Sequence, residues 1–392
     1  MPYGRAPYVV DLTNFKGEVH VVRAAAAPEA PPLAPLIDAA LDAPIDRPPL
    51  ADLARGAPRV TIVVSDPSRA EPRAAFVAAI RARLPAGARI TIAVATGTHG
   101  PADLLALGLP ADLLAGATIV NHDGHAATDL VEIGTTPRGT PVRLHRCLLD
   151  AELVVATGSI KPHYFAGFGA GVKAFFPGLG EAKAVRINHA MKTHPRAVAG
   201  VVDGNPVRDD LEDAFRLLQT PSFLLNGVCG PEGDARSSTI RAVVAGDPVT
   251  AFRTGCELAR PWFTARAPRS PLVIASDALP VSASLYQAAK IAAAAAPLVA
   301  ENGTLAIVAE CPEGTGPLET VNEAILRIGV LPRLPAGARL VVVSGLPRSV
   351  VETTLCAYAP SVVSLLDELV ASSHDQRITV IPRASQLLLE AR

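Results

Sequence analysis

Four times in the first half of the chain, a run of β-branched and small apolar residues stops at a polar or glycine-rich loop, and a stretch compatible with a helix follows. The runs are RVTIVVS (59–65) before DPSR, RITIAVA (89–95) before TGTHG, ATIVN (117–121) before HDGH, and AELVVAT (151–157) before GSIKPHYFAGFGAG. Strands that are apolar throughout, rather than alternating, expect cover on both faces, which is the pattern of a parallel sheet flanked by helices. Ligands of such sheets bind outside the carboxyl ends of the strands. The polar clusters with chemical potential in this half lie in those loops.

A Pro- and Arg-rich stretch, RPWFTARAPRSP (260–271), interrupts the pattern and reads as a linker. A second series follows: SPLVIAS (270–276), GTLAIVAE (303–310), RLVVVSG (339–345) and RITVIP (377–382), with helices expected near 284–296, 317–329 and 361–371. The expected fold class is α/β, with two α/β domains of mainly parallel sheet covering residues 1–265 and 266–392.

Composition narrows the function classes. At 49% hydrophobic and 19% charged residues, the chain is folded rather than disordered. Its 36 Lys and Arg against 37 Asp and Glu leave a formal charge of −1, so no long-range field gathers nucleic acid or an anionic membrane, and neither is expected as a partner. An anionic ligand would be held by a few local cations. The five scattered cysteines form no CxxC pair, which fits a reducing compartment and argues against a cysteine-bound zinc. The N-terminal segment carries charges where a signal peptide needs an apolar stretch, and the most membrane-like window, IAAAAAPLVA (291–300), is too short and is broken by Pro297. The expected location is cytoplasmic.

Of the nine histidines, His99, His122, His125, His163, His189 and His194 fall within one stretch of about 100 residues, several directly after expected strands, a clustering that favours a metal or acid/base site. His122 and His125 in NHDGH fit a strand-end turn better than a metal pair. In KPHYFAGFGAGVKAFFPG (161–178), Gly167, Gly169 and Gly171 alternate ahead of Lys173, which suits close approach of the backbone to a phosphate or flat cofactor and equally a tight turn. A P-loop does not fit, because Ala174 stands where Ser or Thr would hold magnesium. Asp66 and Arg69 in SDPSR serve either as a helix-start turn or as a site. Gln287 and Lys290 share one helix face after a strand of the second domain.

Taken in order and spacing, SDPSR (65–69), TGTHG (96–100), NHD (121–123), GTTPRGTPV (134–142), PHYFAGFGAGVKAFFPG (162–178), NH (188–189) and YQAAK (286–290) resemble the nickel-pincer-nucleotide-dependent lactate racemase family over roughly residues 5–390. The resemblance implies an isomerase, a racemase or epimerase of a lactate-like or larger 2-hydroxy acid, working by proton-coupled hydride transfer to a nickel-pincer nucleotide, a pyridinium thioamide/thiocarboxylate mononucleotide carrying Ni(II). It implies His99 and His163 as the acid/base pair, Lys173 as the covalent tether and His189 as the protein ligand to nickel. Asp66, Arg69, Gln287 and Lys290 would line the cofactor, and Arg69, Tyr286 and Lys290 the substrate, in a cleft between the domains. Enzymes of cofactor synthesis would be partners. Two other functions use the same residues: another hydride-dependent or elimination reaction on a sugar acid, and non-catalytic cofactor binding. The chain departs from the family pattern at Ala70, where Pro is usual, and at Ala170 and Val172; no Trp follows Trp262 and no Phe follows Phe263.

Overall fold

The computed structural model describes residues 1–231 and 239–392. They form two compact units, one of Ala26–Trp262 and one of Met1–Ala25 with Phe263–Arg392. In the first unit six strands make one sheet: β1 (Arg59–Ser65), β2 (Arg89–Ala95), β3 (Ala117–Asn121), β4 (Leu153–Ile160), β5 (Ser222–Cys229) and β6 (Ile240–Gly246). Their order is β6-β5-β4-β1-β2-β3, parallel throughout except for β6, which runs antiparallel to β5 at the edge. Val, Ile and Thr in β1 and β4 suit a pleated strand covered on both faces. Ile62, Val64, Ile92, Val94 and Val155 pack with Phe76, Val77 and Ile80 of helix α1 (Arg73–Arg81) in one buried cluster. A separate hairpin, Leu130–Thr135 with Pro141–His145, follows β3.

The second unit is built the same way. Strands Val19–Val21, Ile378–Ile381, Ser270–Ser276, Val299–Val308, Arg339–Val343 and Ala357–Tyr358 lie in that order, all parallel. Successive residues send side chains to opposite faces. Val273, Leu305, Ile307 and Val342 accordingly join one core, and Leu272, Ile274, Val308 and Val343 the other. Met1, Tyr3, Tyr8, Val10, Leu12 and Phe15 pack against the latter.

Residues 1–25 thus group with the C-terminal sheet rather than with the residues that follow them, because Val19–Val21 hydrogen-bonds along Ile378–Val380. The stretch 260–271, in which the chain passes from one unit to the other, is regular structure rather than a loop: it contains the end of helix Thr250–Phe263, strand Thr264–Ala267, which pairs in parallel with Leu388–Ala391, and the start of Ser270–Ser276. The helices expected near 284–296 and 361–371 are Leu285–Ala295 and Val362–Ser372, and the one near 317–329 is a π-helical segment, Thr320–Val330. No helix among the described residues is long and apolar enough to cross a membrane.

Candidate active site

In the first sheet the chain steps outward from β1 to β2 to β3 and then returns to the other side of β1 as β4. The crevice at such a reversal, outside the carboxyl ends of the strands, is where open α/β sheets hold ligands. Here it is a cavity of about 230 Å³ lined by Asp66 and Arg69 after β1, His99 after β2, His163 and Lys173 after β4, and His189.

The loop after β1 is held from beneath. Buried Arg73 donates from Nε to Ser65 O (2.8 Å) and from Nη2 to Arg69 O (2.8 Å) and Asp66 O. Buried Glu71 accepts the Ser65 N–H (2.9 Å) and contacts the Thr157 hydroxyl. Ser159 Oγ donates to Ala70 O at 2.5 Å, tying the loop to β4. Asp66, itself buried, accepts the Ser68 N–H (2.8 Å), and its Oδ2 lies 3.5 Å from Arg69 Nε and 3.9 Å from His99 Nδ1. Arg69 and His99 are 52% and 59% exposed, so both stand at the mouth of the cavity while their loops are fixed.

The glycine-rich segment is shaped by close backbone approach. Pro162–His163 pairs antiparallel with Gly167–Phe168, and the Ala166 N–H donates to His163 Nδ1 (3.2 Å), orienting the ring. At Gly167 (φ +73°) an added Cβ would sit 2.2 Å from Val201 O, so only glycine fits. Lys173 follows on the 3-10 turn Gly171–Ala174, which Asn226 anchors by accepting the Gly171 N–H at 3.0 Å. Ala170, one of the departures from the family pattern, has φ 64° and ψ −156°, a conformation that strains an L side chain. Ala170→Gly should therefore raise stability by about 1 kcal/mol, the released strain exceeding the added unfolded-state entropy; urea denaturation of the apoprotein measures it.

Two further residues lie beneath the site, Phe165 inside the PHYFAGFGAG segment and Arg208 in none of the motifs. The Phe165 ring meets those of His163 and His189 edge-on, with centroids at 4.6 and 4.9 Å, and Lys173 Nζ lies 5.8 Å from its centre. Arg208, wholly buried on helix α3 (Pro206–Arg216), donates to Ala166 O from Nε and Nη2 (3.2 and 3.1 Å) and to Phe168 O, and stacks over Phe252 at 4.3 Å. Burial lowers its pKa to about 10, which leaves it charged at neutral pH. Desolvation first, and then the nearby Arg208 and Arg69, hold the Lys173 amine well below the usual lysine range. Burial, reinforced by Lys173, Arg69, His189 and Arg208, does the same to His163, and burial with Lys173 and Lys192 lowers His189 to about 3. The cavity therefore presents two half-buried imidazoles that are neutral at pH 7 and an amine whose charged form is disfavoured.

Of the remaining candidates, Tyr286, Gln287 and Lys290 lie on helix Leu285–Ala295 of the other unit, where Lys290 Nζ donates to Gln287 Oε1 at 2.6 Å. NHD is a structural turn: Asn121 bonds Ala102 N and O at 2.8 Å each, and Asp123 Oδ1 accepts the His125 N–H at 2.9 Å. His122 is buried with Nε2 3.1 Å from Gly180 O, and desolvation lowers its pKa to about 4. The unfolded chain takes up this proton near pH 6.5 and the folded one only near 4. Stability from this residue is thus full above pH 6.5 and falls, by on the order of 3 kcal/mol, as pH drops to 4. Urea midpoints of the apoprotein across that range should show the slope, and His122→Gln should reduce it, with His145, His163 and His189 contributing the remainder.

Residues 3–200 match the sequence model of the lactate racemase N-terminal domain. The lactate racemase of Thermoanaerobacterium thermosaccharolyticum is 28% identical over 326 residues, covering 81% of this chain and 75% of that one. That of Lactiplantibacillus plantarum is 28% identical over 288 residues, 71% of this chain and 66% of that one. Among solved structures, the lactate racemase apoprotein from T. thermosaccharolyticum superposes with a TM-score of 0.83 at 25% identity, covering 99% of both chains. A protein from Thermotoga maritima shares the fold at a TM-score of 0.62 and 16% identity, covering 88% of this chain and 96% of its own.

Proposed function

The chain belongs to the lactate racemase family, an isomerase family, and on that premise we propose that it interconverts the configurations at C2 of a small 2-hydroxy acid with a nickel-pincer nucleotide bound in the β1/β4 cavity. The observation that carries this reading is the convergence of three imidazoles and one lysine amine on that single cavity. The donor set fits such a group: among the described residues no three His, Cys, Asp or Glu are grouped to hold a metal, so an ion there would need ligands from an organic partner beside one imidazole. An amine whose charged form is disfavoured by burial suits covalent attachment.

Removing a proton from C2 of a 2-hydroxy acid is costly because that C–H is poorly acidic. A nucleotide held by Lys173 and His189 would supply hydride-acceptor chemistry at C2, with a planar keto acid open to return of hydride on either face. His99 and His163, on loops after different strands, would take the hydroxyl proton on one face and return a proton to the carbonyl oxygen on the other. Arg69 offers a bidentate fork for the substrate carboxylate, and the Asp66 carboxylate lies beside both Arg69 (3.5 Å) and His99 (3.9 Å). Lys173 would be the tether and His189 the metal ligand. For Tyr286, Gln287 and Lys290 we propose the cofactor and substrate contacts that the family resemblance implies. Five buried cysteines without a disulfide support a reducing, cytoplasmic setting, where cofactor-synthesis enzymes would be partners.

The test is a chiral screen of 2-hydroxy acids in heavy water, with protein produced alongside the cofactor-synthesis enzymes. Interconversion without deuterium at C2 is expected. Extensive C2 deuteration would replace hydride transfer by proton abstraction, and no interconversion of any acid would remove the racemase reading.

A further inference from the structure

The motif GTTPRGTPV (134–142) has no part in the chemistry above, yet it reaches the site. Its loop closes with Thr136 N–H donating to Thr140 O (2.9 Å) and Thr140 N–H to Thr136 Oγ1 (3.1 Å). Because the Thr136 hydroxyl already accepts from Thr140, its proton goes to Asp210 Oδ1, while Thr140 Oγ1 donates to Asp210 Oδ2 at 2.8 Å. Asp210 is fully buried on α3, and its Oδ2 also accepts from Asn188 Nδ2 at 2.9 Å.

These bonds leave Asn188 no choice of orientation. Its amide nitrogen faces two pure acceptors, Asp210 Oδ2 and Val207 O (3.2 Å), so its Oδ1 is the atom set 3.1 Å from His189 Nδ1. An amide oxygen only accepts, so the proton of the neutral His189 ring facing it sits on Nδ1; the Val185 carbonyl is a second acceptor beside the ring, and the variants below separate its effect from that of Asn188. We infer that Thr136, Thr140, Asp210 and Asn188 form a positioning chain that locks His189 in the Nδ1–H tautomer and leaves Nε2 as its lone-pair donor. All four are buried, with relative exposures of 4%, 0%, 0% and 0%, so water does not compete for these bonds. The value of the lock for a metal rests on the reading of His189 as the nickel ligand; the lock itself does not. A second shell of this kind fixes the tautomer and direction of a ligating imidazole.

The experiment is long-range proton–nitrogen correlation NMR of the apoprotein labelled with nitrogen-15 in histidine, with His189 assigned by its loss in His189→Gln. Wild type should show the Nδ1–H form. Asp210→Asn keeps the shape but adds a donor, so the Asn188 amide can turn over and the Nε2–H form should become the major one. Asn188→Leu removes the acceptor and should also release the tautomer, while Thr140→Ser should retain it. Should Asp210→Asn fail to fold, Thr140→Val removes one donor to Asp210 and should give a smaller shift the same way. A wild-type ring in the Nε2–H form, or an unchanged Nδ1–H form in Asn188→Leu and Thr140→Val, would overturn the inference. Nickel analysis of cofactor-loaded protein after dialysis adds a separate reading, with retention in Asp210→Asn expected to fall about 10- to 100-fold. A released tautomer with undiminished nickel would uphold the chain and overturn His189 as the ligand.

Discussion

His163→Ala and His99→Ala should each slow turnover of the cofactor-loaded protein by about 100- to 10,000-fold, the usual worth of a positioned acid or base. The two losses have different causes. His163 is half-buried, oriented by the Ala166 N–H and kept neutral by desolvation and neighbouring cations, so its replacement removes a proton acceptor that water cannot replace in place. His99 is exposed at the cavity mouth beside Asp66, and small external bases can reach it. Added imidazole should therefore restore part of the His99→Ala activity and little of that of His163→Ala. Both variants should carry the nucleotide at the wild-type mass, since neither touches the tether. Wild-type rates in both would move the acid/base chemistry elsewhere.

Lys173→Ala should lose the covalent adduct entirely, which intact-protein mass spectrometry reads without any assay of activity. Burial, with Arg208 and Arg69, disfavours the charged form of the Lys173 amine, and the neutral form is the one able to attack an acyl carbon. Lys173→Arg should lose the adduct as well, because a guanidinium stays protonated. His189→Ala should keep the adduct mass and lower nickel retention about 10-fold or more. An adduct that survives in Lys173→Ala would end the tether assignment.

Both expectations begin in sequence signals that are local. An unbroken run such as RVTIVVS can only be a buried strand, and a polar loop directly after it lies at the strand's carboxyl end whatever the rest of the fold does. For that reason Asp66, Arg69, His99, His163 and Lys173 were legible as a group before their distances were known. The glycines of the 167–171 segment were legible too, though not which of them is obligatory; Val201 O decides that for Gly167.

What tertiary structure alone decided is everything that depends on a partner far along the chain. RPWFTARAPRSP has a linker's composition and is helix and strand, because Leu388–Ala391 supplies hydrogen bonds that no local pattern announces. Residues 1–25 group with the C-terminal sheet for the same reason, through Ile378–Val380. Glu71, Arg73 and Arg208 are buried, and nothing in their local sequence pattern announces it. Burial turns these charges into loop anchors, and burial is a property of the assembled layers. Asp210 accepts from Thr136 across 74 residues of chain and from Asn188 across 22. A hydrogen-bond chain of that span has no period and no motif, so the sequence determined which residues could do chemistry, while packing determined their protonation and the direction in which each lone pair is offered.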